Sequence, residues 1–249
     1  MVDQTFDIPV IDIASLDSSD SADQAIAAQV RVACMNSGFF YVSGHGIDPD
    51  LLTGAFAANR SFHARPLEEK LSIKLNAWHR GYQAFATSKL VSSERFEAAV
   101  GANQMESYFL RHEVPTDDPT YQAKALMGPN QWPDDPDFRD AVGGYNGAVV
   151  DLGRRLLRIF ALAVGEAEDY FLPYFDGPIT CLRLLHYPAM KETPATGDVD
   201  LYGINPHTDY GFITILAQDE VGGLEIQAVD GTWLPAPSLP GTLIVNIAD

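Results

Sequence analysis

The sequence predicts an α+β fold, with a helical layer packed on a β-sandwich or jelly roll. Three observations carry that expectation. The first two thirds hold apolar residues at helical spacings of three and four. After Pro178 the texture changes to short apolar runs divided by Gly, Pro and Asp-Gly turns. A chain of 249 residues with 46% hydrophobic content is long enough for a substantial core.

Phe6 to Ile13 alternates apolar and polar residues and reads as an opening strand ending at Asp12. A helix follows, with Ile26, Val30 and Ala33 on one face and Gly38 as its stop. Phe39 to Val42 is a short strand. His45, between Gly44 and Gly46, reads as a surface or turn histidine. Asp48 before Pro49 caps a second helix, which carries Leu52, Ala55, Phe56, Asn59 and Phe62 on one face and ends before Pro66. Leu67 to Leu75 suggests a further short helix, the segment around Gly81 and Tyr82 a loop or irregular strand, and Met105 to Leu110 a strand. Pro115 to Pro136 is rich in loop residues. From Phe138 to Ala163 the three-and-four stepping is the strongest in the chain, and the helix it predicts stops near Gly165. Gly143, Gly144, Gly147 and Gly153 within it suggest close packing, and Arg154, Arg155 and Arg158 a solvated face. Strands are then expected over Ile179 to Tyr187, Gly211 to Ala217, Gly222 to Val229, Thr232 to Leu234 and Thr242 to Ile247, with a tight hairpin at Asp230-Gly231. The regions 1–115 (helix and strand), 116–178 (loop and long supporting helix) and 179–249 (β core) are expected to form one domain.

A net charge of -18 argues against nucleic acid or an anionic membrane surface as partner. Two distant cysteines, Cys34 and Cys181, suggest neither a disulfide framework nor a cysteine metal site. No stretch has the length of a membrane span and the start lacks a secretory pattern, so the cytoplasm is the expected compartment.

The chemistry concentrates in GINPHTDYGFITIL, residues 203–216. His207 and Asp209 are separated by one residue before an apolar run. On an extended backbone they project to the same side, so both can meet one metal. Such a pair is two thirds of the 2-His-1-carboxylate triad that leaves open positions on iron(II) for oxygen chemistry. Tyr210 and Phe212 beside the pair, and Tyr82 far upstream, are candidate substrate contacts.

Taken in order, IPVIDIASL, GFFYVSGHGID, LRLLHYPA, PHTDYGFITIL, GGLEIQAVDGTWLPAP and PGTLIVNIAD resemble the isopenicillin N synthase-like branch of the iron(II)- and 2-oxoglutarate-dependent oxygenases. The resemblance implies a double-stranded β-helix (jelly roll) core supported by N-terminal helices. It implies His207 and Asp209 as iron ligands, and Tyr187 as a contact of 2-oxoglutarate. Arg183 lies on the same strand and, by alternation, faces the same side as Tyr187. The implied reaction couples oxidation of a small organic molecule by O2 (hydroxylation, desaturation or ring closure) to release of succinate and CO2. In that family a distal histidine and an Arg-x-Ser segment follow the strand resembling GTLIVNIAD. None of His45, His63, His79, His112 or His186 stands in that place, so both features and the last core strands are expected past Asp249. The 249-residue chain is accordingly expected to hold iron poorly. An oxidase of the same branch that uses no 2-oxoglutarate, and an inactive scaffold derived from the family, are the alternatives.

Overall fold

The computed structural model describes residues 8–89, 96, 101–121, 125–177, 179–189 and 202–248. Contacts divide the chain into two compact units, each built from separated segments. The first comprises Met1–Pro49, Gly147–Asp176 and Asp209–Asp249, and the second Asp50–Asn146 and Gly177–Thr208.

In the first unit, strand β1 (Val10–Asp12) runs parallel to β2 (Phe39–Ser43), and helix α1 (Asp20–Asn36) connects them. Phe6 and Asp7 of the expected opening strand lie outside the described residues. Ser19 caps α1 by accepting from the Ala22 amide at 3.3 Å, and Gly38, at φ +77°, supplies the left-handed turn that ends it. Strand β2 pairs antiparallel with β9 (Leu243–Ile247), which pairs antiparallel with β6 (Ile213–Leu216), giving the order β1-β2-β9-β6. Alternation divides this sheet's residues between two faces. Phe40, Val42, Leu243 and Val245 join Ile26, Val30 and Ala33 of α1 and Leu152, Leu156 and Ile159 of helix α4 (Pro136–Val164) in the principal core. Tyr41 and Ile244, on the other face, pack with Ile226 and Ala236. Ile226 belongs to β7 (Glu225–Gln227), which forms the expected Asp230-Gly231 hairpin with β8 (Trp233–Pro235).

The solvated face expected at Arg154, Arg155 and Arg158 needs correction. Arg158 pairs with Asp17 and, at 2.6 Å, with Glu168, while Arg155 donates to the His45 carbonyl at 2.9 Å. These two arginines fasten neighbouring segments, and Arg154 makes a local pair with Asp151 at 3.1 Å. The close packing expected of the helix glycines also holds unevenly. A Cβ at Gly144 would lie 3.3 Å from Leu51, one at Gly153 would reach Ile215 at 3.9 Å, and ones at Gly143 or Gly147 would meet nothing within 4 Å.

In the second unit the segment at Gly81 is a strand, β3 (Gly81–Gln83). It pairs with β4 (Glu106–Arg111), and β4 pairs with β5 (Cys181–His186), all antiparallel. One face of this sheet presents Tyr82, Tyr108, Leu110 and Leu184 to Phe62 of helix α2 (Pro49–His63) and to Phe138 and Val142 of α4. The Phe62 ring lies 5.3 Å from Tyr108 and 5.3 Å from Phe138. A short helix α3 (Leu67–Leu71) follows α2. The opposite face of the sheet carries Gln83, Ser107, Phe109 and Arg183.

Candidate active site

His207 lies one residue before the end of the second unit, and Asp209 opens the last segment of the first. The Nδ1 of His207 lies 2.7 Å from the Asn205 carbonyl oxygen. A carbonyl only accepts, so Nδ1 donates, and in a neutral ring the lone pair then sits on Nε2. Asn205 is itself anchored: its amide and side chain donate to Asn103 Oδ1 at 2.9 and 2.5 Å. The main chain next to it is tied by the Gln104 amide donating to the Tyr202 carbonyl at 3.0 Å. The loop bearing His207 therefore rests on the approach to β4.

Asp209 Oδ2 accepts from Thr214 Oγ1 at 2.7 Å and from Asn246 Nδ2 at 3.0 Å. Thr214 on β6 and Asn246 on β9 face one another in the ladder, so one cross-strand pair orients the carboxylate. An imidazole whose Nδ1 is committed to a carbonyl, and a carboxylate whose one oxygen is held by two neutral donors, fit the chemistry of metal ligands with supporting outer partners. Among the described residues no group of three or more His, Cys, Asp and Glu side chains is placed to hold a metal ion.

Arg183 and Tyr187 come together in the second unit. The guanidinium donates to Ser107 Oγ at 3.2 Å and to Gln83 Oε1 at 3.1 Å, and lies 4.8 Å over the Phe109 ring. Burial raises the Tyr187 phenol above the ordinary tyrosine value, and the Arg183 charge opposes that rise. The Tyr187 ring lies against the backbone of Gly203, where a Cβ would come within 2.8 Å of it. That contact brings Tyr187 beside the segment leading to His207.

The other candidates are dispersed. Tyr82 is 1% exposed, and its hydroxyl donates to Glu106 on the sheet face opposite Arg183. Phe212 packs among Phe160, Phe171 and Phe175 at 5.0 to 5.7 Å between ring centres. Tyr210 is 94% exposed. His186, expected as a packed or exposed strand histidine, places Nδ1 2.8 Å from Glu106 Oε1. Thr214 and Asn246 escaped the sequence reading. Their signal was a hydrogen-bonding side chain interrupting the apolar runs ITIL and LIVNI.

Two family models cover most of the chain. One, described as non-haem dioxygenase in morphine synthesis N-terminal, matches residues 8–135. The other, the 2OG-Fe(II) oxygenase superfamily, matches residues 178–249. The chain is 36% identical over 251 residues to a 2-oxoglutarate-Fe(II) type oxidoreductase, hxnY, of Emericella nidulans, covering 97% of this chain and 69% of that protein. It is 33% identical to an Arabidopsis thaliana homoarginine-6-hydroxylase, covering 97% of this chain and 68% of the other. The crystal structure of a full-length Neurospora crassa protein in complex with alpha-KG and thymine superposes with a TM-score of 0.79 at 27% identity, over 100% of this chain and 76% of that one.

Proposed function

The chain belongs to the iron(II)- and 2-oxoglutarate-dependent oxygenases, and on that premise we propose that His207 and Asp209 are two of its iron ligands and that Tyr187 and Arg183 face 2-oxoglutarate. The fold is the α+β jelly roll of that family, and the substrate is a small molecule. Iron(II), 2-oxoglutarate and O2 are the reactants the protein works with, and when bound the metal supplies oxygen activation, with 2-oxoglutarate as electron donor.

One observation supports the ligand assignment above the others: the paired orientation of the Asp209 carboxylate by Thr214 and Asn246. Two donors on one oxygen fix the rotation of the carboxylate and leave its other oxygen to face a metal. The Asn205 carbonyl does the corresponding work for His207 by setting its tautomer. Arg183 offers a fixed positive charge. Its aliphatic stem and guanidinium are already arranged by Ser107, Gln83 and Phe109, so little side-chain freedom remains to be lost when an anion arrives. Tyr187 adds a neutral phenol donor, which its raised pKa preserves at physiological pH. A net charge of -18 supports a small-molecule substrate over a polyanion, and no described helix is long and apolar enough to cross a membrane. A reducing, cytoplasmic setting agrees with the two free cysteines.

The test is succinate formation from 2-oxoglutarate under air with iron(II), measured alongside product. Succinate must rise in step with product and vanish without iron. Product formation in the absence of 2-oxoglutarate overturns the assignment of cosubstrate.

A further inference from the structure

Behind β5, which carries Arg183 and leads directly into Tyr187, lies a polar cluster that the oxygenase reading leaves without a role. Its centre is Glu106 on β4, 6% exposed. Lys70 of α3, equally buried, donates to Glu106 Oε2 at 2.8 Å and to the His63 carbonyl at 2.9 Å. The Tyr82 hydroxyl from β3 donates to the same carboxylate oxygen. The other oxygen, Oε1, faces His186 Nδ1 at 2.8 Å. Burial would raise the Glu106 pKa, but the hydrogen bonds from Lys70, Tyr82 and His186 outweigh it and hold the group below the ordinary carboxylate range. One carboxylate thus joins α3, β3, β4 and β5.

Glu106 and His186 are also direct partners in the β4–β5 ladder. The preceding residue, Leu185, is tied as well, since Asn59 of α2 donates to its carbonyl at 2.9 Å. Two successive residues of β5 are therefore fastened to the helices by polar groups that fix direction as well as distance. Apolar packing of Leu184 alone would leave the strand freer to roll. Tyr187 follows immediately and points the other way, so any rotation of β5 about its axis swings Tyr187 and Arg183 in the opposite sense.

We propose that Glu106 and His186 are positioning residues, a clamp with a buried carboxylate and a half-exposed imidazole, which sets the roll of β5 and so the placement of Arg183 and Tyr187 for 2-oxoglutarate. The inference rests on the proposed cosubstrate role of those two residues. Its distinctive consequence is a selective effect. Loosening the clamp weakens 2-oxoglutarate binding and leaves the iron ligands, anchored by Asn205 and by Thr214 with Asn246, unchanged.

The experiment compares His186→Leu, His186→Gln, Glu106→Gln, Arg183→Met and Tyr187→Phe in the full chain, by steady-state kinetics and iron(II) titration. His186→Leu is expected to raise KM for 2-oxoglutarate roughly fivefold, about the effect of one misplaced hydrogen-bond partner. The kcat, the KM for the oxidised substrate and the iron affinity should stay within twofold. His186→Gln, whose amide can donate to Oε1, should recover most of the loss. Glu106→Gln should resemble His186→Leu, and if it does not fold the two His186 variants still decide. An unchanged KM in His186→Leu, or a parallel loss of kcat, both KM values and thermal stability without recovery in His186→Gln, overturns the clamp. If instead Arg183→Met and Tyr187→Phe leave KM for 2-oxoglutarate unchanged, the cosubstrate assignment fails, and the clamp's proposed purpose with it. Raised KM in those two variants alongside an unaffected His186→Leu removes the clamp alone.

Discussion

At the scale of single residues, the site depends on neighbours that carry no reactive chemistry. Asp209→Ala removes a proposed ligand outright, and iron(II) binding followed by calorimetry should be abolished. Asn246→Ala keeps the carboxylate but releases one of its two donors, and should weaken iron about 10- to 100-fold. Gly203→Ala should raise KM for 2-oxoglutarate without altering iron affinity, because its Cβ would stand 2.8 Å from the Tyr187 ring. His207 and Asp209 could be proposed as ligands from the sequence because a His-x-Asp pair before an apolar run, in a chain resembling this family, places two ligating side chains on one side of an extended backbone. Asn246, thirty-seven residues from Asp209, was not, since strand register alone brings it there. Tyr82 misled as a substrate candidate for a related reason. In a three-residue strand, spacing does not say which sheet face is buried, and Tyr82 lies on the face that packs on Phe62.

At the scale of elements, α4 and the α2–β5 contact make separate predictions. Gly147 lies exposed within α4 with open space around its Cα, so Gly147→Ala should stabilise by about 1 kcal/mol and raise Tm by roughly 2–4 °C in a thermal melt. His63 ends α2, 4% exposed, its Nδ1 on the Asn59 carbonyl. Burial is the main cause lowering its pKa to about 4, with the Lys70 and His186 charges adding to it. An unfolded histidine takes up its proton near pH 6.5, so between pH 6.5 and about 4 the unfolded chain binds more protons than the folded one. Stability should fall as the pH drops through that window, by about 2–3 kcal/mol at its lower end. His63→Phe should flatten that part of a denaturation-against-pH curve. The helices were legible from their periodicity and caps: Gly38, Pro49 and Gly165 all mark helix ends, as expected. Strand β3 was harder to read, because three residues offer no period to count.

At the scale of the whole molecule, net charge and family membership bear on how the protein meets its reactants. The electrostatic field around a chain of net charge -18 disfavours anionic 2-oxoglutarate in bulk. The proposed contact with Arg183 would work against it, so raising salt from about 50 to 200 mM should lower KM for 2-oxoglutarate in steady-state assays. The order of strands in the first unit has a consequence for biosynthesis. Strand β9 sits between β2 and β6, and its pairing with β2 spans about 200 residues, from Val42 to Leu243. A ribosome adds roughly 5–20 residues per second. One edge of β2 therefore waits about 10–40 s for its partner, with a hydrogen-bonding edge and the apolar faces of Phe40 and Val42 uncovered. Nascent chains are the form in which this protein is most open to chaperones and to aggregation.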